Sequence, residues 1–179
     1  KPWVKVSSSP IGKYRDTNRY PSRGWNAYHV VYQDAQRWLK EGIHDALFPM
    51  MYFQGNNFYP FALDWKENDG KRWIIPGLGI YFLSPREQDW PLDEIVRQIH
   101  FTRQIKLNGQ AYFRNRFLLD NTKGVLDELE ENFYTYPALI PPMTWSDSIP
   151  PSVPSHPSVQ QIANGKLRMS WQASADNSN

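Results

Sequence analysis

The segment Trp73-Ile74-Ile75-Pro76-Gly77-Leu78-Gly79-Ile80-Tyr81 is typical of a short buried strand that ends in an aromatic ring. Three further segments have the same character, because they are short and apolar and end in aromatic or small polar residues, never in a carboxylate. They are residues 3–9, 45–52 and 109–113. Helical stretches separate the four segments, as expected of a parallel sheet built from strand–helix units. The sequence therefore predicts an α/β fold with four parallel strands.

Apolar spacing predicts four helices between and after these strands. They cover residues 27–41, 61–67, 91–107 and 121–133. Asp89 is expected to cap the third helix and Pro91 to occupy its first turn. Asn108-Gly109 is expected to end that helix.

Composition and charge exclude several classes of function. The 20 basic and 18 acidic residues are mixed along the chain and leave a formal charge of +2, which gives no electrostatic footprint for nucleic acid. The sequence has no apolar run of about 18 residues, so no membrane span is expected. It contains no cysteine, which excludes disulfides and thiolate chemistry without fixing the compartment.

Neither a metal ion nor a cofactor is expected from the sequence. The four histidines do not show the spacing of metal ligands. Gly77-Leu78-Gly79 lies inside a predicted strand, where glycine usually permits close approach of another group to the backbone. It is therefore not a phosphate-binding loop.

The last forty residues change in composition and predict a separate region. Seven prolines between residues 137 and 157 indicate an extended, semi-rigid linker. Beyond it, two alternating runs flank Asn164-Gly165, which is a strong signal for a β-hairpin. A two-stranded hairpin is only marginally stable alone, so we expect it to open a second, all-β domain.

Sheets of this type bind ligands at the carboxyl ends of their strands. The ends here offer flat rings, hydroxyls and amides, which suit the apolar faces and hydroxyl edges of a sugar. The predicted sugar-binding residues are Ser9, Tyr14, Trp25, Tyr52, Gln54, Tyr81 and Phe113. Core packing remains an alternative for Tyr52 and Tyr81, and contact with the following helix remains one for Trp25. Arg114-Asn115-Arg116 could hold an anionic sugar or form ion pairs beside a helix.

Catalytic residues are not identified by the sequence. Glycoside hydrolysis generally needs two facing carboxyl groups, and no strand end provides one. Asp45 begins a predicted strand, so we expect it to have a structural role, and Glu67 is expected on a solvated helix face. Asp16 and Glu87 lie in loops and remain candidate acids of a cleft.

The order of the strand motifs resembles one family. Lys-Pro-Trp-Val-Lys-Val-Ser-Ser-Ser-Pro-Ile-Gly at positions 1–12 resembles the fifth strand of the bacterial glycosyl-hydrolase-like TIM-barrel family, a glycoside hydrolase 10-like family formerly of unknown function. Residues 45–53, 76–81 and 109–113 are similar to later strands in the same order, and residues 141–145 to the closing segment. The tail, with Pro154 and Trp171, resembles the first two strands of a fibronectin type III-like module.

This resemblance implies a fold and a function. Residues 1–143 would form the C-terminal half of a (β/α)8 TIM barrel, residues 144–157 a Pro-rich linker, and residues 158–179 the start of the fibronectin type III-like module. The parent would be a secreted, periplasmic or cell-surface glycoside hydrolase acting on a poly- or oligosaccharide. Because a whole barrel usually takes about 250 residues, the family's acidic motif and any targeting signal are expected upstream of Lys1.

Two other functions remain open at this stage. The chain could be a carbohydrate-binding domain without catalysis, since an aromatic cleft binds sugars without a pair of acids. It could also be a structural or assembly unit, because four parallel strands leave two open sheet edges. We therefore expect homo-oligomers to form through those edges.

Overall fold

The computed structural model describes residues 4–22 and 24–176. The chain divides into two compact units, Lys1–Pro141 and Pro142–Asn179. The start of the first predicted strand at Trp3 and the last three residues of the predicted β module lie outside the described residues.

The first unit is built on short parallel strands. They are β1 (Ser7–Ser8), β2 (Ala46–Leu47), β3 (Trp73–Ile74), β4 (Gly77–Leu78) and β5 (Ala111–Tyr112). β1 pairs with β2, β2 with β3, and β4 with β5, and every one of these pairings is parallel. Parallel bridges from Ile11 to Met50 and from Met50 to Gly77 connect the two groups. The strands thus follow one another side by side in chain order.

The half barrel implied by the resemblance stays a prediction. The described part of the first unit contains a three-stranded and a two-stranded sheet and no closed barrel. Prolines interrupt the sheet, since neither Pro49 nor Pro76 has an N–H to donate to a neighbouring strand. The predicted strand at residues 73–81 is therefore divided into β3 and β4, and its end is wrong because Ile80–Leu83 forms a 3₁₀ turn.

In the described part of the chain, five α-helices accompany these strands. They are α1 (Ala35–Lys40), α2 (Tyr59–Glu67), α3 (Leu92–Gln104), α4 (Asn115–Leu119) and α5 (Val125–Glu128). Single 3₁₀ turns occur at Gly55–Asn57 and Thr122–Gly124, and a π-helical turn at Leu129–Phe133 extends α5.

Three details of the predicted helices are wrong. The third helix ends at Gln104 rather than at Asn108-Gly109, because Lys106 has a left-handed φ of 58°. The helix at residues 27–41 is confined to α1, because Tyr32 has a φ of 57°, a left-handed conformation that a right-handed helix does not contain. Asp89 does not cap α3. The residue at the N-cap position is Pro91, and Asp89 instead accepts a hydrogen bond from Lys123 Nζ at 2.5 Å.

The core of the first unit lies between the sheet and its helices. Its largest fully buried side chains are Trp65, Phe58, Phe61, Leu39, Leu47, Met51, Ile74, Leu78, Ile80, Leu83, Ile95 and Ile99. Trp65 Nε1 also donates a hydrogen bond of 2.7 Å to Gly12 O, which fastens α2 to the chain just beyond β1. Burying each such side chain stabilises the fold by about 1.5–3 kcal/mol.

The second unit contains the hairpin that the sequence predicts around Asn164-Gly165. β6 (Ser155–Gln161) and β7 (Leu167–Gln172) are antiparallel and joined through the turn Ala163–Gly165. Asn164 has φ 64° and Gly165 φ 70°, the left-handed values that these two residue types tolerate best. The fibronectin type III-like module stays a prediction. Within residues 4–22 and 24–176, no helix combines the length and apolar character of a membrane span.

Candidate functional site

Three aromatic side chains meet where the parallel strands end. Tyr52 follows β2, Tyr81 follows β4, and Phe113 directly follows β5. Tyr52 and Phe113 are stacked, with ring centroids 5.2 Å apart and 18° between their planes. Tyr81 meets both rings edge-on, at 5.8 Å from Tyr52 and 5.7 Å from Phe113. We call Tyr52, Tyr81 and Phe113 the aromatic cluster.

Two glycines make room for this cluster. An ideal Cβ on Gly77 would lie 3.2 Å from Tyr52 Cε1, and one on Gly79 would lie 3.1 Å from Tyr52 Cβ. The ring of Tyr52 therefore lies directly against the backbone of β4 and its extension. The close approach predicted for Gly77-Leu78-Gly79 is confirmed.

The backbone fixes the third ring in place. Phe113 N–H donates to Leu78 O at 2.9 Å, and Tyr81 N–H donates to Phe113 O at 3.2 Å. The Phe113 side chain nevertheless remains 45% exposed, so part of its ring is available to a ligand.

Both tyrosines of the cluster keep their protons at neutral pH. Burial raises the pKa of Tyr52. Burial, and to a lesser degree the Glu87 carboxylate, raises the pKa of Tyr81, while the nearby Arg114 opposes that effect. Their hydroxyls can therefore donate hydrogen bonds to a sugar as well as accept them.

Polar residues of α3 hold the segment that carries Tyr52. Gln98 is fully buried, and its Nε2 donates to Phe53 O at 2.8 Å and to Glu94 Oε1 at 2.9 Å. Glu94 is also buried and accepts a 2.8 Å hydrogen bond from Arg97. Sequence reasoning missed this pair. The signal for it is the spacing of four residues between Glu94 and Gln98 on the otherwise apolar face of the helix.

A buried lysine ties the long loop after β1 to the same segment. Lys13 Nζ donates to Ser22 Oγ at 2.6 Å and to Asn57 Oδ1 at 2.8 Å. It also lies over the rings of Phe53 and Phe61, at 4.9 and 5.3 Å from their centroids. Burial lowers the pKa of Lys13, and Asp16 partly opposes the shift. No local sequence pattern indicates this burial, since Asn57, Phe53 and Phe61 are 40 or more positions away along the chain.

The other predicted sugar-binding residues lie in different surroundings. Ser9 Oγ donates to Phe48 O at 2.7 Å, and the Tyr14 hydroxyl donates to Asp34 at 2.6 Å from a ring that is buried in the core. Trp25 is 67% exposed, and Gln54 is also exposed two residues after Tyr52. Among the described residues, no ring contact or hydrogen bond places any of these four in the aromatic cluster.

The acidic residues discussed from the sequence also lie in different surroundings. Asp45 Oδ2 accepts the Val6 N–H at 2.8 Å, which confirms a structural role beside β1. Glu67, on the solvated end of α2, forms an ion pair of 2.6 Å with Arg19. Asp16 lies in an exposed polar hollow with Arg15 and Arg19, and Glu87 lies near Tyr81. In the part of the chain that the structure describes, no group of three or more His, Asp or Glu could hold a metal ion.

Comparison with known proteins adds an independent observation. No family model matches the chain. It is 32% identical over 181 residues to glycosyl hydrolase YngK of Bacillus subtilis (strain 168), which covers 93% of this chain and 36% of that protein. It is 26% identical over 142 residues to glycosyl hydrolase DigH of Escherichia coli (strain K12), covering 66% of this chain and 31% of that protein.

These similarities support a glycosyl-hydrolase-like family for this chain. The chain spans about a third of the length of the curated relatives it matches. The comparisons leave the glycoside hydrolase 10-like assignment and the fibronectin type III-like module as predictions.

Proposed function

We propose that this chain is part of a glycoside hydrolase that acts on a poly- or oligosaccharide, and that it supplies the aromatic side of the sugar site. The observation behind this is the aromatic cluster of Tyr52, Tyr81 and Phe113 at the carboxyl edge of parallel strands. Ligands bind at this edge in open and closed parallel sheets. The names of the relatives, both glycosyl hydrolases, support the same activity for the parent protein.

The chemistry of a sugar fits this cluster. The exposed part of the Phe113 ring can stack on the apolar face of a pyranose, and the hydroxyls of Tyr52 and Tyr81 can bond to its edge. Cleavage generally requires two carboxyl groups on opposite sides of the glycosidic bond. Glu87 offers one carboxylate near Tyr81. In line with the family resemblance, the proposal places the catalytic carboxylate of the family's acidic motif in a part of the parent outside this chain.

The proposal includes the remainder of the fold. Parallel strands that follow one another in chain order support half of a barrel whose other strands belong to the rest of the parent. The hairpin of β6 and β7 supports the start of a fibronectin type III-like module. A secreted, periplasmic or cell-surface location rests on the family resemblance alone.

A titration of the 179-residue chain with a panel of oligosaccharides tests the proposal, with intrinsic fluorescence or calorimetry as the readout. We expect at least one glycan to bind and Phe113→Ala to weaken that binding about tenfold, because the stacking surface is lost. Tyr32→Ala is the matched control, since Tyr32 is an exposed ring outside the cluster. Failure of every glycan to bind, or an equal effect of both substitutions, would contradict the proposal.

A second candidate function is carbohydrate binding without catalysis. It is favoured by the aromatic cluster itself, because rings and hydroxyls bind a sugar without a pair of acids. The two functions separate in an assay of the complete parent protein on the glycan that this chain binds. Release of shorter products identifies the hydrolase, and binding without products identifies the binding domain.

A further inference from the structure

A polar cavity of about 390 Å³ opens beside the aromatic cluster. Arg86 and Glu87 line it from the loop after β4, and Arg114, Arg116, Phe117 and Asp120 line it from the segment after β5. Arg114 directly follows Phe113 in sequence, and Ser84, which also lines the cavity, donates its N–H to Tyr81 O at 3.1 Å. The cavity is therefore next to the site where the proposed function places a sugar.

The charges that line this cavity are unbalanced. Three guanidinium groups face two carboxylates, which leaves one net positive charge. Arg116 is paired, with its Nε 3.3 Å from Asp120 Oδ2. Within residues 4–22 and 24–176, Arg114 has no ion pair or side-chain hydrogen bond. Its guanidinium instead lies over the ring of Phe117, 5.5 Å from the centroid.

This arrangement leaves the Arg114 donors available. A guanidinium that packs its face on an aromatic ring still presents its N–H edge, and two parallel N–H groups match the two oxygens of a carboxylate. One monoanion also neutralises the single net charge of the cavity. A dianionic phosphate would leave excess negative charge beside Glu87 and Asp120, which disfavours it.

We propose that this cavity binds the carboxylate of an acidic sugar unit, so that the glycan recognised by the aromatic cluster is an acidic one. The inference rests on the proposed function, because it assumes that a sugar occupies the cluster. In this arrangement, one sugar ring stacks on Phe113 and a carboxylate on that ring or its neighbour reaches the Arg114 edge. The substrate class is then a carboxylated poly- or oligosaccharide.

The test compares a short oligogalacturonate with its methyl ester, which has the same backbone without the charge. We expect the 179-residue chain to bind the charged form about tenfold more tightly or better, the strength of a charge-assisted, bidentate contact. Arg114→Gln should abolish that preference and leave binding of the methyl ester unchanged. Arg114→Lys should keep part of the preference for the charged glycan, since lysine retains the positive charge but lacks the two parallel N–H donors of a guanidinium.

Arg37→Gln is the control, because Arg37 is an exposed arginine on α1 that pairs with Glu41 away from this cavity. Arg37→Gln should leave the affinities for the oligogalacturonate and for its methyl ester unchanged. Equal binding of both glycans by the original chain overturns the acidic-sugar inference and leaves the proposed function standing. Tighter binding of a sulfated oligosaccharide than of the oligogalacturonate also overturns it, and failure of every glycan to bind overturns both proposals.

Discussion

The ring of Tyr52 is stacked on the ring of Phe113, with centroids 5.2 Å apart, although the residues are about sixty positions apart in sequence. The contact exists because Met50, just before Tyr52, bridges to Gly77, and Gly77 in turn pairs with Ala111, just before Phe113. Parallel pairing thus brings two strand ends together and places their rings face to face.

This stack should stabilise the fold in a measurable way. Offset aromatic pairs contribute about 0.5–1.5 kcal/mol beyond the area they bury. We therefore expect the losses in the free energy of unfolding caused by Tyr52→Ala and Phe113→Ala to be less than additive. A double-mutant cycle should give an interaction free energy in that range. Urea unfolding of the two single variants and the double variant measures it. Additive effects would show that the rings do not support each other.

Gly12 is predicted to tolerate no side chain. A Cβ at this position would overlap Met50 O and lie 2.9 Å from Met51 Cα, both of them backbone atoms that cannot rotate away. We expect Gly12→Ala to lower the free energy of unfolding by about 3 kcal/mol. Gly77→Ala is the comparison, because its closest neighbour is the Tyr52 side chain at 3.2 Å, and it should cost about 1 kcal/mol. A larger loss at Gly77 than at Gly12, measured by denaturant unfolding, would refute the prediction.

Gln98 is predicted to stabilise the segment that carries Tyr52. Gln98→Leu removes the donor to Phe53 O and leaves that carbonyl and the buried Glu94 with fewer partners. We expect a loss of about 1–3 kcal/mol in the free energy of unfolding, the usual cost of an unsatisfied buried polar group. Gln104→Leu changes an exposed position on the same helix and should stay within about 0.5 kcal/mol. Equal effects of the two substitutions in urea would show that the buried hydrogen bonds contribute nothing.

Alkaline pH should weaken the fold partly through Tyr14. Burial, followed by the hydrogen bond to Asp34, raises the pKa of Tyr14 above its ordinary value of 10.0. The folded chain therefore retains this proton longer than the unfolded chain does. The contribution to stability is complete below pH 10 and is lost as the pH rises from there toward the raised pKa.

Tyr14→Phe removes that contribution. The variant should lose about 0.5–1.5 kcal/mol of stability at neutral pH, because the bond to Asp34 is gone. Above pH 10 its stability should fall less steeply than that of the original chain. Urea unfolding at several pH values compares the slopes, and identical slopes would exclude Tyr14 as their source.

The two outer edges of the strand array predict self-association. Within the described residues, β1 pairs only with β2 and β5 only with β4, and Val6 beside the β1 edge is about half exposed. We expect the 179-residue chain to sediment as a concentration-dependent dimer. Val6→Lys should reduce association, because a charge discourages pairing at an open edge. A compact monomer at all micromolar concentrations would reject this prediction.

Local sequence patterns predicted the order of the elements and failed where distant backbone groups intervene. The β-hairpin follows from Asn164-Gly165, whose conformation depends on the two residues themselves. The helix predicted from residue 27 does not form there. Ala27 N–H and Tyr28 N–H instead donate to Lys13 O and Tyr14 O at 2.8 and 2.9 Å. Those bonds hold the segment against a neighbouring loop, and the left-handed conformation of Tyr32 separates it from α1. Helical spacing reveals neither feature.

The candidate site, too, could be predicted from local sequence patterns only in part. Rings at the ends of predicted strands, Tyr52, Tyr81 and Phe113, come together because strand position alone fixes the edge on which they lie. The burial of Gln98 and Lys13 was not predicted, because a polar residue is buried only when other elements supply its hydrogen-bond partners.

The sequence by itself determined which residues follow each strand and that rings, rather than carboxylates, stand there. Only the tertiary structure decided which of these rings are buried in the core and which form the candidate site. Tyr14 and Tyr52 both follow a strand. Tyr14 is buried, packs edge-on against Trp65 and donates a hydrogen bond to Asp34, whereas Tyr52 joins the aromatic cluster. The reason is physical: burial and hydrogen bonding are set by neighbours brought in from other parts of the chain, and the residue type does not specify those neighbours.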